Sequence, residues 1–128
     1  KLSMPFELVM KNALNAYINA FNHNDLEALV ALFAPEATVE DPYGSVAKVG
    51  YSAIRTFYEE ALQSNVKLTL DAPIRATTSH AAAMAFTATV DVEGTQTLIR
   101  VIDIMTFDEQ GLINSMRAYF GESDIQSA

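Results

Sequence analysis

A chain of 128 residues, half of them hydrophobic, suits one domain spanning 1–128 that buries roughly two-thirds of its unfolded surface. It contains no cysteine, which excludes a disulfide framework, thiolate metal ligands and a thiol nucleophile. The formal net charge of −8 argues against nucleic acid and anionic membranes as partners, and no apolar run approaches the ~20 residues that cross a bilayer.

The N-terminus lacks the charged, apolar and small-residue regions of a signal peptide, so a cytoplasmic location is expected. Lys1-Leu2-Ser3 stand in place of an initiator Met and are candidate non-native residues. The spacing then predicts a first helix, with Phe6, Val9, Met10, Ala13, Tyr17, Ala20 and Phe21 on one stripe, Ser3 as N-cap and Pro5 in the first turn. Asn24 followed by Glu27 reads as a capping box for a short second helix, with Leu26, Leu29, Val30 and Phe33 inward and Ala34-Pro35 as its end. A strand ending at Asp41 follows and stops at the turn Pro42-Tyr43-Gly44-Ser45. A third helix is expected near Ser52 to Leu62, with Ile54, Phe57, Tyr58, Ala61 and Leu62 at helical spacing.

From about Val66 every signal is strand. Val66, Leu68 and Leu70 alternate with polar neighbours, and a long strand covers Ala81 to Val92 with Met84, Phe86, Ala88, Val90 and Val92 on one face. Glu93-Gly94 supplies a hairpin turn into a strand around Asp103, and Asp108 to Gly111 supplies the next. The last strand runs from Leu112 to Phe120; pairing Phe107 with Leu112 would set Asp103 opposite Met116 and Phe120 opposite Ile99. Helices first and a meander afterwards define an α+β domain. Three short helices cover a long sheet only if it curls around them, which makes a cone with one open, apolar mouth.

Two carboxylates break the apolar pattern of this cone. Parity places Asp41 with Ala37 and Val39, and Asp103 with Ile99, Val101, Met105 and Phe107. Asp41 reads in two ways: as a turn aspartate bonding the backbone after Asp-Pro, or as a general base at the cavity end of a strand. Asp103 lies mid-strand with no cation on its face, since Arg100 falls on the opposite one. An unpaired buried carboxyl keeps its proton and becomes a hydrogen-bond donor. Tyr17 and Tyr58 lie on apolar helix stripes, either as ordinary amphipathic tyrosines or as further inward donors. His23 and His80 read as solvated, there is no metal-ligand spacing, and the glycines form no phosphate loop.

With these residues in place, the chain resembles the bacterial Δ5-3-ketosteroid isomerases over nearly its whole length. The resemblance rests on Ala28-Leu29-Val30-Ala31-Leu32-Phe33-Ala34, on Ala37-Thr38-Val39-Glu40-Asp41-Pro42-Tyr43-Gly44-Ser45 and on Ile54-Arg55-Thr56-Phe57-Tyr58. It continues through Ile102-Asp103 and Ser115-Met116-Arg117-Ala118-Tyr119-Phe120-Gly121-Glu122. It implies the cone-shaped, mostly antiparallel fold shared with nuclear transport factor 2 (NTF2-like, cystatin-like), a homodimer, no cofactor and no metal. It places the family's general base on Asp41, its two oxyanion donors on Tyr17 and Asp103, a supporting tyrosine on Tyr58 and a steroid-lining aromatic on Phe120. That family is the established case of an aspartic acid kept neutral in an apolar site in order to donate a hydrogen bond. The chain departs from its relatives at Phe33, where some extend the network with another tyrosine, at Ile104-Met105-Thr106, and over Val66 to Ala81.

The expected activity is therefore migration of a double bond in a 3-oxo-Δ5-steroid, with Val39, Phe57, Phe86, Val101, Met116 and Phe120 as apolar walls. Rival readings within the fold are a SnoaL-type polyketide cyclase, or an epoxide hydrolase needing an Asp-Arg-Asp arrangement that Arg100 is placed wrongly to complete. A non-catalytic carrier of apolar ligands is the rival from another class, and inward carboxylates count against it.

Overall fold

The computed structural model describes residues 6–127; the expected N-cap Ser3 and first-turn Pro5 lie outside them. Helix α1 (Phe6–Asn22) buries Met10, Leu14, Tyr17, Ile18, Ala20 and Phe21 along one stripe. Helix α2 (Leu26–Val30) and helix α3 (Tyr51–Leu62) complete the helical layer. The strands are β1 (Phe33–Glu40), β2 (Lys48–Val49), β3 (Lys67–Leu70), β4 (Arg75–Ala76), β5 (Ala81–Val92), β6 (Thr95–Phe107), β7 (Ile113–Tyr119) and β8 (Ile125–Ser127). They form one unclosed sheet in the order β2-β1-β7-β6-β5-β3, with β4 paired to β5 and β8 to β6. Among the described residues only the β1–β7 ladder is parallel. This is the α+β architecture expected from helices followed by a meander.

Alternation along the long strands decides which face meets the helices. On β6, Val101, Asp103, Met105 and Phe107 are buried, while Arg100, Ile102 and Ile104 are exposed. On β5, Ala82, Met84, Phe86 and Ala88 turn inward. Each fully buried apolar side chain contributes roughly 1.5–3 kcal/mol relative to exposure, so a register slip of one residue would invert the whole inner face. The β5–β6 hairpin is closed by Glu93 and Gly94, both at positive φ (50° and 83°), between the pair Val92–Thr95. That two-residue geometry matches strand twist.

Three local expectations are corrected. The cap of α2 is Asp25, whose carboxylate accepts from the Ala28 N–H at 3.1 Å, because only Asp25 stands three residues before that amide. Asn24 instead takes the left-handed conformation (φ 55°) and turns the chain out of α1, a role asparagine tolerates. Phe33 is not the last inward residue of that helix, and Ala34-Pro35 does not end it. The helix stops at Val30, and Phe33 opens β1, where the ladder to β7 shifts between Phe33 and Thr38 around a proline that lacks an N–H. The β6–β7 register also differs from the expected one: Phe107 pairs with Ile113, and one extra β7 residue sits between this pair and Thr106–Ser115. Asp103 therefore lies opposite Ala118 rather than Met116, and Phe120 falls just beyond the end of β7. The bulge lets both Ile113 and Met116 turn inward, which strict alternation forbids. The short 3-10 turn at Glu122–Asp124 and strand β8, which continues the β6 edge at Thr97 to Ile99, carry no clear pattern in the sequence.

Candidate active site

Helix α1 and helix α3 each deliver one tyrosine to the inner face of the sheet. Tyr17 belongs to the buried stripe of α1, and Tyr58 to that of α3 with Ile54 and Leu62. Their hydroxyls are 3.0 Å apart. Tyr58 is wholly enclosed, its ring 5.0 Å from that of Phe57, 5.5 Å from Phe33 and 5.9 Å from Phe21. Burial pushes both phenols well above their ordinary pKa, so both stay protonated. With Tyr58 donating to the Tyr17 oxygen, the Tyr17 proton is free for a ligand. The hydroxyl chain ends at Tyr58, because its neighbour Phe33 has none.

Asp103 projects from the centre of β6 between Met84 and Ala118 on the flanking strands. It is 1% exposed, and neither carboxyl oxygen has a hydrogen-bond partner among the described residues. Burial first, and the charge of Asp41 second, hold its pKa well above the ordinary carboxylate range. A protonated acid with an unused O–H is the state this environment favours.

Asp41 stands immediately after β1, where Ala37 and Val39 have set its parity inward. Burial raises its pKa to about 6, with no hydrogen bond or cation among the described residues to offset it. It makes no bond to the backbone after Pro42; the turn is held instead by Ser45, whose N–H and hydroxyl both donate to the Pro42 carbonyl. At pH 7 a group with that pKa is about nine-tenths ionised. The two aspartates thus differ in state as well as place.

Tyr17, Asp41 and Asp103 line one cavity of about 150 Å³, open at its mouth and otherwise apolar. Of the expected walls, Phe86, Val101 and Phe120 line it. Val39 and Met116 do not: both are consumed by the core, buried between helices and sheet. Phe57 faces a separate hollow with Lys48, Ser52 and Glu60, while its ring meets that of Tyr58 nearly at right angles. The cavity is completed by residues outside the expected walls, among them Phe21, Val66, Leu68 and Ile99. Two had a usable signal: Ile99 shares parity with Asp103, and Phe21 lies one helical turn from Tyr17. From Asp103 to Ile99 the trough follows four residues of β6, about 13 Å. His23 and His80 are exposed, away from this cavity, and Arg100 is on the outer face.

A family model described as a SnoaL-like domain matches residues 14–116. The chain belongs to the SnoaL-like family. The match spans α1 to β7, so the tyrosines and both aspartates of the cavity all lie within the SnoaL-like domain. Among curated relatives, the chain is 39% identical over 116 residues to a steroid Delta-isomerase of Nocardioides simplex, covering 91% of this chain and 93% of that one. It is 31% identical over 125 residues to the epoxide hydrolase LasB of Streptomyces lasalocidi, covering 94% of this chain but 44% of that protein. Among solved structures it superimposes on SalBIII, an epoxide hydrolase/cyclase-like enzyme described in pyran ring formation in polyether salinomycin. The TM-score is 0.87 at 27% identity, over 93% of this chain and 95% of that one. The likeness thus supports an enzyme of the SnoaL-like class, with relatives of more than one activity.

Proposed function

We propose that this SnoaL-like protein is a steroid Δ-isomerase that moves the C5–C6 double bond of a 3-oxo-Δ5-steroid to C4–C5. The Asp41 carboxylate removes a proton from C4, next to the carbonyl. Electron density moves onto the C3 oxygen, giving a dienolate. Tyr17 and neutral Asp103 donate hydrogen bonds to that oxygen, and Asp41 returns the proton at C6, so that no atom is gained or lost. One mobile carboxylate carries the proton while two fixed donors receive the charge without reorganising. Neither step calls on a cofactor. The reading is supported above all by one observation: a fully buried carboxyl with both oxygens unpartnered shares an apolar cavity with a second, ionisable carboxyl. The 39% identity to a steroid Delta-isomerase favours this chemistry over others of the fold.

The test is ultraviolet absorbance after mixing with a 3-oxo-Δ5-steroid. A conjugated enone is expected to accumulate in proportion to enzyme, and its absence overturns the reading. Binding of a phenolic steroid without turnover then identifies a carrier. The second reading, opening of an epoxide, is favoured by the likeness to LasB and SalBIII. There Asp103 would protonate the epoxide oxygen while Asp41 takes the proton of the attacking hydroxyl. Turnover of a hydroxy-epoxide without steroid turnover would select it.

A further inference from the structure

Among the described residues none donates a hydrogen bond to the Asp41 carboxylate, so its aim depends on the backbone that carries it. That backbone is held from both sides by one side chain on β7. Arg117 pairs with Glu40 in the parallel ladder, and its Nε lies 3.4 Å from Glu40 Oε1, on the residue just before Asp41. Its guanidinium carbon also lies 5.0 Å from the centroid of the Tyr43 ring, two residues after Asp41. The ring of Tyr43 packs on Tyr119 at 5.4 Å, and its N–H donates to the Ala118 carbonyl at 2.7 Å. The three successive residues of β7 from Arg117 to Tyr119 thus pin the turn that presents the carboxylate.

We propose that Arg117 is a positioning residue for Asp41, gripping Glu40 and Tyr43 to hold the carboxylate at the cavity wall. The inference rests on reading Asp41 as the base. A planar guanidinium can meet a carboxylate and an aromatic face at once, which an ammonium does less well. Both contacts are at the surface, where such pairs add little to stability. Geometry is a different matter, since a misplacement of about 1 Å can cost roughly 10²-fold in rate. Arg117 therefore matters more for turnover than for folding.

The experiment compares Arg117→Met, Arg117→Lys and Glu40→Gln by steady-state kinetics on a 3-oxo-Δ5-steroid and by amide hydrogen exchange. For Arg117→Met we expect kcat to fall about 10–100-fold with KM within about twofold. The Tyr43 amide should exchange about tenfold faster while the β5–β6 ladder stays protected. Arg117→Lys should fall between the parent and Arg117→Met, and Glu40→Gln should give the same pattern at smaller size. An unchanged kcat, a loss confined to KM, or an unchanged Tyr43 exchange rate overturns the proposal. Full turnover by Asp41→Asn would instead remove the reading of Asp41 as base. The exchange measurement needs no substrate, so it decides whether Arg117 holds the turn even if no steroid is turned over.

Discussion

At the scale of single residues, the site depends on two aspartates kept in different protonation states by different surroundings. Asp41, at a strand end, has its pKa raised to about 6 by burial and still ionises near neutrality. Turnover at low substrate is therefore expected to fall as pH drops through about 6, where the base becomes protonated, and a kcat/KM–pH profile measures this directly. Asp41→Asn should keep affinity for a phenolic steroid but lose more than about 10³-fold in kcat, beyond the loss expected for a single donor. Tyr17→Phe removes a hydroxyl that carries one of the two proposed hydrogen bonds, and by analogy with other enzymes should cost roughly 10²–10³ in kcat. Parity along the strands was enough to single out both carboxylates. The walls were less legible: Val39 and Met116 share the inward side but are covered by helices, and parity cannot tell core from cavity.

At the scale of elements, the errors cluster where one residue departs from regular geometry. Strict alternation over the last strand puts Leu112 inward, yet Ile113 is the buried residue, because the bulge between Ile113 and Ser115 resets the phase. A bulge is stabilised by the packing it permits on both sides, so local sequence does not announce it. The β5–β6 turn was legible, because Glu93-Gly94 stands between two alternating runs, yet Glu93 is held at φ 50°. Left-handed backbone is costly for glutamate and nearly free for asparagine. Glu93→Asn is accordingly expected to stabilise the fold by about 0.5–1 kcal/mol, measured as a higher denaturation midpoint with an unchanged m-value.

At the scale of the whole molecule, the site opposes the fold, and the sign of the pH dependence follows. Asp103 ionises near pH 3.9 in an unfolded chain but keeps its proton well above that when folded. Across this window the native state binds one proton more than the unfolded state, so stability falls as pH rises, by about 1.4 kcal/mol per pH unit. The slope vanishes above the native pKa; Asp41 adds the same sign between about pH 4 and its folded value of about 6. Asp103→Asn should therefore gain stability over the parent progressively above pH 4, and denaturant titrations from pH 4 to 7 test it; a constant difference would mean that Asp103 is ionised in the fold. The sequence by itself determined the helices-then-meander order, the inward parity of both aspartates and the stripes that carry Tyr17 and Tyr58, because these follow from periods of 2.0 and 3.6 residues. Only the tertiary structure decided that Tyr17 and Tyr58 meet at 3.0 Å, that Asp103 faces Ala118 and that Val66 and Leu68 wall the cavity. Those facts depend on how elements far apart in the chain are registered against one another, and registry is set by packing the whole core at once.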